Sequence, residues 1–175
     1  MHHRTGFGRA PHAYLPLCSL DNGVGLRHSA LVSDGVPVLI KSAPAEEQIV
    51  AVLGPDVFNW AVSRLPAGMS IDDVRFRDLI SVTEADLCDY VEIRGFDSRV
   101  VAEEAVLDDR ICIIHEGSGW RVFYTERGTV SDEVQFASKE QARAEVASRL
   151  MRLARVMLNH RYWHAHGLPF PCGDE

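Results

Sequence analysis

The residues best suited to metal chemistry are three histidines near the C-terminus, His160, His164 and His166. His160 and His164 are four residues apart, so on a helix they share one face, as two zinc ligands do. An arginine follows His160, so the glutamate that serves as general base in H-E-x-x-H zinc enzymes is absent. Cys172 or His166 could complete a site only if the tail folds back. A small metal-dependent enzyme is therefore a minor alternative, and we predict no metal site.

Other patterns that could do chemistry are incomplete. Glu116-Gly117-Ser118-Gly119 lacks the G-x-S-x-G spacing of a nucleophile elbow and lies between two predicted strands. Gly6-Phe7-Gly8 and Gly23-Val24-Gly25 lack the third glycine of a dinucleotide-binding loop. Neighbouring acids such as Glu103 and Glu104 point to opposite faces of a strand, so they do not form an acid/base pair. The sequence predicts no catalytic residue and no cofactor.

Composition restricts the class of protein further. The chain has 175 residues, 46% hydrophobic and 25% charged, with a formal net charge of −7. This balance is typical of a globular protein, and the acidic total argues against nucleic-acid binding, which depends on Lys and Arg. No run approaches the roughly 18 apolar residues of a membrane span. The first twenty residues lack the apolar stretch of a secretion signal, so we expect a cytoplasmic protein.

The four cysteines, Cys18, Cys88, Cys112 and Cys172, form no C-x-x-C pair. Their spacing indicates neither a zinc ribbon nor a thioredoxin-type redox pair. In a cytoplasmic protein we expect all four to be reduced and partly buried.

The negative charge is concentrated in the middle of the chain. Residues 71–138 hold seven basic and 16 acidic side chains, whereas residues 139–175 hold six basic and four acidic ones. A concentration of like charge raises the encounter rate with a partner of opposite charge. The alternative is that these acids simply solvate strand faces and turns.

The first part of the chain, residues 1–70, has the pattern of a β-meander followed by two short helices. Asn22-Gly23 and Asp34-Gly35 are typical of tight hairpin turns, and residues 24–33 alternate between apolar and polar. Residues 36–41 predict a third strand. We expect the first helix to begin at Ser42 and the second at Asp56, because both residue types favour N-caps.

The second part, residues 71–175, predicts an antiparallel meander and a long C-terminal helix. Residues 69–79 allow a strand but are ambiguous. We expect antiparallel pairing throughout, because the connections are too short for parallel crossovers. The predicted strands are Tyr90–Ile93, Arg99–Leu107, Arg110–His115, Trp120–Thr125 and Val130–Phe136.

The C-terminal helix has the clearest local signals. Ser138 and Gln141 match the S-x-x-Q capping box. An apolar stripe then follows at helical spacing: Ala142, Val146, Leu150, Leu153 and Met157. The predicted class is thus α+β, with antiparallel β-meanders, packed helices and two β-then-helix halves, either as two units or as one continuous domain.

The absence of a reactive motif favours a binding protein. Protein-recognition surfaces use aromatic anchors and polar turns on a rigid scaffold. The candidate binding segment is the turn between two predicted strands: His115, Glu116, Gly117, Ser118, Gly119 and Trp120. Glu116 offers an acceptor to a cationic cleft. An ordinary hairpin turn is the alternative interpretation.

Part of the chain resembles a known family. A Trp-led strand and Glu-Arg-Gly turn span Gly119–Gly128, a strand ending in Phe covers 133–136, and an Ala-rich helix covers 142–150. This succession resembles that of bacterial polymorphic-toxin immunity proteins, and among them it is closest to the immunity factor of an NAD-hydrolysing necrotizing toxin. The resemblance covers some 40 of 175 residues.

The resemblance implies an antitoxin that binds one cognate toxin domain directly, in a 1:1 complex. It further implies inhibition by occlusion of the toxin's NAD cleft in the cytosol of the producing cell. An acidic inhibitor would be steered toward a cleft lined with cations. A non-toxin adaptor, or a chaperone for a secreted effector, is the main alternative.

Overall fold

The fold is described from a computed structural model, in which residue 40 and residues 42–169 are described. All of them belong to one compact unit of the chain. The described elements follow one another in the order α1 (Ala45–Leu53), α2 (Val57–Ser63), a 3₁₀ turn (Ile71–Asp73), α3 (Phe76–Leu79), α4 (Glu84–Arg94), β1 (Val101–Ala102), β2 (Arg110–Glu116), β3 (Gly119–Glu126), β4 (Thr129–Phe136) and α5 (Lys139–Ala165). The α+β class is confirmed.

The four strands form one sheet in sequence order, and the three predicted strands at 110–136 are confirmed. β2, β3 and β4 pair antiparallel, but β1 pairs parallel to β2, with Val101 beside Ile111. The sheet is therefore mixed, and the prediction of a purely antiparallel meander is wrong. The connection between β1 and β2 can be short because β1 has only two residues. The chain has to run back only about 7 Å before β2 starts beside β1.

The predicted strand at Arg99–Leu107 shrinks to these two residues because turns interrupt it. The Asp97 carboxylate accepts hydrogen bonds from the Arg99 backbone N–H at 2.9 Å and from its guanidinium at 2.6 Å. These bonds hold a tight turn immediately before β1. After β1, Leu107 is 75% exposed, so its apolar side chain marks no buried strand.

The helices predicted at 42–65 are confirmed, with one correction. α1 begins after Pro44, so Ser42 is not its N-cap, and no side chain caps that end. Asp56 caps α2 as expected, accepting from the Asn59 N–H at 3.3 Å. The two helices are joined through Glu47, which accepts from the Trp60 indole N–H at 2.9 Å.

The predicted strand at Tyr90–Ile93 is wrong, because these residues lie in α4. Thr83 and Asp86 form a capping box at the start of α4, and that start sets the helical register. Leu87 and Val91, four apart, are the buried side chains, whereas Ile93 is 81% exposed. Residues 69–79 likewise hold no strand; they form the 3₁₀ turn and α3.

α5 crosses beneath the sheet and contributes seven buried side chains to the core. Its N-cap is confirmed, since the Ser138 hydroxyl accepts from the Gln141 N–H at 3.3 Å. Its buried line follows four-residue steps, through Ala142, Val146, Leu150, Ala154 and Leu158. Each such step turns about 40° around the helix, so the line winds instead of running straight.

The predicted apolar stripe is therefore correct for Ala142, Val146 and Leu150 and wrong for its last two residues. Leu153 is 53% exposed and Met157 is 37% exposed, because the winding buried line leaves them on the outer side. The packing partner also changes along the helix. Near its start Lys139 lies over Trp120 of the sheet and Ser148 donates to Glu84 of α4, whereas near its end Asn159 accepts from the Phe76 N–H and Arg161 pairs with Asp72 of the 3₁₀ turn.

Several predictions fall outside the described residues. These are the meander at 1–41 with its turns at Asn22-Gly23 and Asp34-Gly35, and the two cysteines Cys18 and Cys172. The division of the chain into two parts, residues 1–70 and 71–175, stays a prediction. Within the described part, Cys88 is half-buried, Cys112 is buried and both are free thiols. In the same part of the chain, no helix is both long and apolar enough to cross a bilayer.

Gln48 is expected to be the most sensitive polar side chain of the core. It is 1% exposed; its amide donates to the Ala43 carbonyl at 2.7 Å and accepts from the Ser81 N–H at 2.8 Å. Gln48→Leu leaves both backbone groups unsatisfied and should cost about 2–4 kcal/mol of unfolding free energy. Urea denaturation measures this. The exposed Gln141→Leu is the control and should stay within about 0.5 kcal/mol; equal losses would contradict the assignment.

Acid should weaken the α4 cap. Hydrogen bonds from the Thr83 hydroxyl and backbone N–H, both 2.7 Å, lower the pKa of Asp86. A lowered pKa stabilises the fold above the unfolded-state pKa, near 4, and this contribution is lost as pH falls through the folded-state value. Asp86→Asn should therefore be less stable than the parent at pH 6, and the gap should narrow below about pH 4. Thermal unfolding across pH tests this, with Asp89→Asn as the charge-matched variant; a constant gap would refute it.

Candidate binding surface

The six predicted binding residues form the end of the β2–β3 hairpin. Glu116 pairs with Gly119 and His115 pairs with Trp120, so Gly117 and Ser118 alone make the turn. Gly117 has φ of +62°, while Ser118 is not among the residues with positive φ. Glycine in the left-handed region at the first central position is typical of a type II′ turn, which matches the twist of the strands. The segment is a minimal, well-supported hairpin.

His115 and Trp120 hold the hairpin to the core. Their rings face each other with centroids 5.1 Å apart, and Trp120 packs on the main hydrophobic cluster. The Lys139 ammonium at the start of α5 lies 5.0 Å from the centroid of the Trp120 ring. This cation–π contact ties the hairpin to the first turn of α5. Trp120 is therefore a structural anchor, and Glu116 and the turn are the parts presented outward.

Glu116 belongs to a charge cluster on the sheet face opposite α5. Arg121 lies between two carboxylates, with its Nε 3.3 Å from Glu116 and a terminal nitrogen 3.6 Å from Glu133. The guanidinium stacks over Phe123 at 4.9 Å from the ring centroid. Arg121 Nε is buried and its approach to Glu116 is too poorly aligned for a hydrogen bond. The Glu116 side chain remains 63% exposed, so its carboxylate can accept from a partner.

The neighbouring strand fixes the hairpin's position and leaves an open edge. A Cβ on Gly119 would lie 2.9 Å from the Phe136 carbonyl oxygen, so only glycine allows this close approach of β3 and β4. Among the described strands β4 pairs with β3 alone, and its register shifts by one residue near Asp132, which has φ of +51°. Such a bulge bends an edge strand and opposes uncontrolled strand pairing. The edge carries Asp132 and Glu133 toward solvent.

The whole sheet is strongly acidic on its surface. Residues 101–136 hold eight carboxylates and three arginines. Every one of the eight is exposed: Glu103, Glu104, Asp108, Asp109, Glu116, Glu126, Asp132 and Glu133. The arginines are partly neutralised within the sheet, as in the 2.7 Å pair of Arg110 with Asp108. The sheet therefore presents an excess of negative charge to a partner.

A shallow groove of about 500 Å³ lies beside the hairpin end, between the last residues of β4 and the first turns of α5. Phe136 forms part of its wall, and Glu84 and Glu145 bring carboxylates to it. Ser148 donates to Glu84 at 3.3 Å, and Arg149 pairs with Glu145 at 2.7 Å. The groove extends the acidic surface from the hairpin toward α4.

His160 and His164 lie on α5, which continues to Ala165, and His166 is the C-cap that follows it. Arg161 pairs with Asp72 of the 3₁₀ turn at 2.7 Å, and this hydrogen bond lowers the pKa of Asp72. Tyr162 and His166 stack with centroids 4.3 Å apart. Among the described residues, no three His, Cys, Asp or Glu side chains come together as metal ligands do. Cys172 lies outside the described residues.

Sequence reasoning found the hairpin but missed the residues that support it. Arg121, Glu133 and Lys139 lie on three different elements, and their pairing depends on the strand register and on the start of α5. The alternation in β3 signalled that Arg121 and Phe123 share a face. Nothing in the sequence signalled that Lys139 lies over Trp120, because that contact depends on how α5 crosses the sheet.

No protein-family model, no curated protein and no solved structure matches this chain.

Gly119 gives a direct test of the hairpin geometry. Gly119→Ala places a methyl group against the Phe136 carbonyl, so the strands must shift, at a cost of about 1–3 kcal/mol. Ser118→Ala, one residue earlier in the turn, should stay within about 0.5 kcal/mol. Chemical denaturation measures both. Equal stability of the two variants would contradict the close approach of β3 and β4.

Proposed function

We propose that this protein is an immunity protein, an antitoxin that binds a cognate secreted toxin and inhibits it without chemistry of its own. The observation that carries the proposal is the exposed Glu116 carboxylate beside a two-residue turn, at the end of a sheet with a large excess of exposed acids. The sequence resemblance to polymorphic-toxin immunity proteins is the second, weaker support.

The proposed mechanism is occlusion of the toxin's active-site cleft. A cleft that recognises the pyrophosphate of NAD needs cations, so its natural inhibitor is an acidic, projecting element. The hairpin end enters or borders the cleft, and Glu116 pairs with a cationic side chain that otherwise contacts phosphate. The anchoring of Trp120 under Lys139 supports this role, because a pre-organised turn loses little conformational entropy on binding.

The charge of the sheet is proposed to act mainly on association. Exposed carboxylates steer a cationic partner toward the binding face, which raises the on-rate and makes it sensitive to salt. We expect a 1:1 complex that buries about 1,600 Å² or more. The complex would form in the cytoplasm of the toxin-producing cell, before the toxin is secreted.

A non-toxin adaptor or an effector chaperone would use the same acidic surface. The difference lies in the partner: an inhibitor abolishes its partner's activity, whereas a chaperone or adaptor leaves that activity intact in the complex. The identity of the adjacent gene is informative here, because an immunity gene is expected beside a gene for a secreted protein with a C-terminal toxin domain.

The direct test is an NAD-consumption assay with the toxin domain encoded beside this gene, in the presence of increasing amounts of the purified protein. Turnover should fall to zero at one equivalent. Glu116→Lys reverses the charge at the hairpin end and should lower the on-rate about tenfold at low salt. Glu92→Lys makes the same charge change at an exposed site on α4 and is the matched control.

Two results would overturn the proposal. Full NAD turnover by a stable stoichiometric complex would show that the protein is an adaptor or a chaperone. Equal on-rates for Glu116→Lys, Glu92→Lys and the parent would remove the hairpin from the interface. An on-rate unaffected by a rise in ionic strength would exclude steering, since exposed charges are screened beyond about 10 Å at 0.1 M salt.

A further inference from the structure

The second half of α5 has an exposed face that no described element covers. Two rows of side chains at four-residue spacing define it, and we refer to them together as the α5 outer face. The rows are Leu153 and Met157, and Arg152, Val156 and His160. Residues four apart on a helix are neighbours, so the three apolar side chains form one patch with basic side chains at its ends.

The apolar patch is more exposed than a core stripe would be. Leu153 is 53% exposed, and Val156 and Met157 are each 37% exposed. The buried line of α5 has by then wound away, so a large part of each of these side chains is left exposed. An apolar cluster with charged residues at its edges is typical of an interaction site.

The charge around the patch has one sign. No Asp or Glu occurs between Val146 and Pro169, whereas this stretch holds four arginines and three histidines. Arg152 is exposed in the same row as Val156. Arg149, one turn before Leu153, has a side chain only 10% exposed and is paired with Glu145 at 2.7 Å, so Arg152 is the principal cation available to a partner.

The charges also restrict what can cover the face. A second copy docked through its own α5 outer face would bring arginines against arginines. The N-terminal residues 1–39 carry three arginines and two aspartates, which gives them no excess of negative charge to offer. An anionic bilayer would repel the molecule as a whole, because the net charge of the protein is −7. Interfacial helices also insert a wider apolar face than these two rows provide.

We propose that the α5 outer face docks an acidic amphipathic helix of a partner protein. The groove between the two rows suits a ridge of apolar side chains, as in ordinary helix packing, and acids beside that ridge would pair with Arg152 and its basic neighbours. Lys139 and Leu153 are 14 residues apart, about 20 Å along the helix. This surface is therefore separate from the hairpin end and leaves it free for the proposed toxin.

The test uses two synthetic 18-residue amphipathic helical peptides with the same leucine face. One has glutamates beside that face, and the other has lysines at the same positions. Each is titrated into the full-length, ¹⁵N-labelled protein. We expect the glutamate peptide to shift amide signals at residues 149–164, and the lysine peptide to leave these signals unchanged. Leu153→Ser/Met157→Ser should weaken binding of the glutamate peptide about tenfold, which corresponds to removal of the apolar contacts.

The control is Val50→Ser, which changes a side chain 50% exposed on α1 and should bind the peptide as the parent does. The thermal unfolding midpoint of the double variant should match that of the parent, because both side chains are exposed. Equal shifts by the two peptides, or unchanged affinity of the double variant, would overturn the proposal. The proposal would also be overturned if the parent formed a dimer, or bound phosphatidylglycerol vesicles, and the double variant lost that property but still bound the peptide. None of these outcomes bears on NAD consumption.

Discussion

The burial of one winding side of α5 is the constraint on which the described fold depends. It packs beneath β2, β3 and β4, and it also packs against the 3₁₀ turn and the four shorter helices. Alanines at 142, 147 and 154 let neighbouring elements approach closely along its whole length. The short helices bury too little apolar surface to be stable alone, so α5 joins them to the sheet in one core.

This arrangement places charges of opposite sign on different elements of the molecule. The sheet carries the excess of acids, whereas α5 after Val146 carries only basic charges. The Lys139–Trp120 contact links the two at the hairpin end and keeps the turn rigid. A binding protein gains from such a design, because the steering charges of the sheet act together with a pre-organised turn. The opposite charge of α5 gives the protein a second surface with different chemistry.

Local signals predicted much of this fold. The caps at Asp56 and Ser138, the alternation in β2–β4 and the Gly117-Ser118 turn each depend on neighbouring residues, and each is confirmed. The predicted strand at Tyr90–Ile93 is wrong because it rests on the alternation of apolar and polar residues alone. The capping box at Thr83 starts a helix that includes these residues. Leu153 was misplaced because its burial depends on which elements surround α5. For the candidate surface, the sequence identified the hairpin, whereas Arg121 and Lys139 became part of it only through tertiary packing.

Hydrogen–deuterium exchange of the complex with the cognate toxin domain tests the central claim most directly. The account predicts that backbone amides of residues 114–121 become protected on binding, in the same complex that has lost NAD hydrolysis. A fully inhibited complex with unchanged exchange at 114–121 would contradict it.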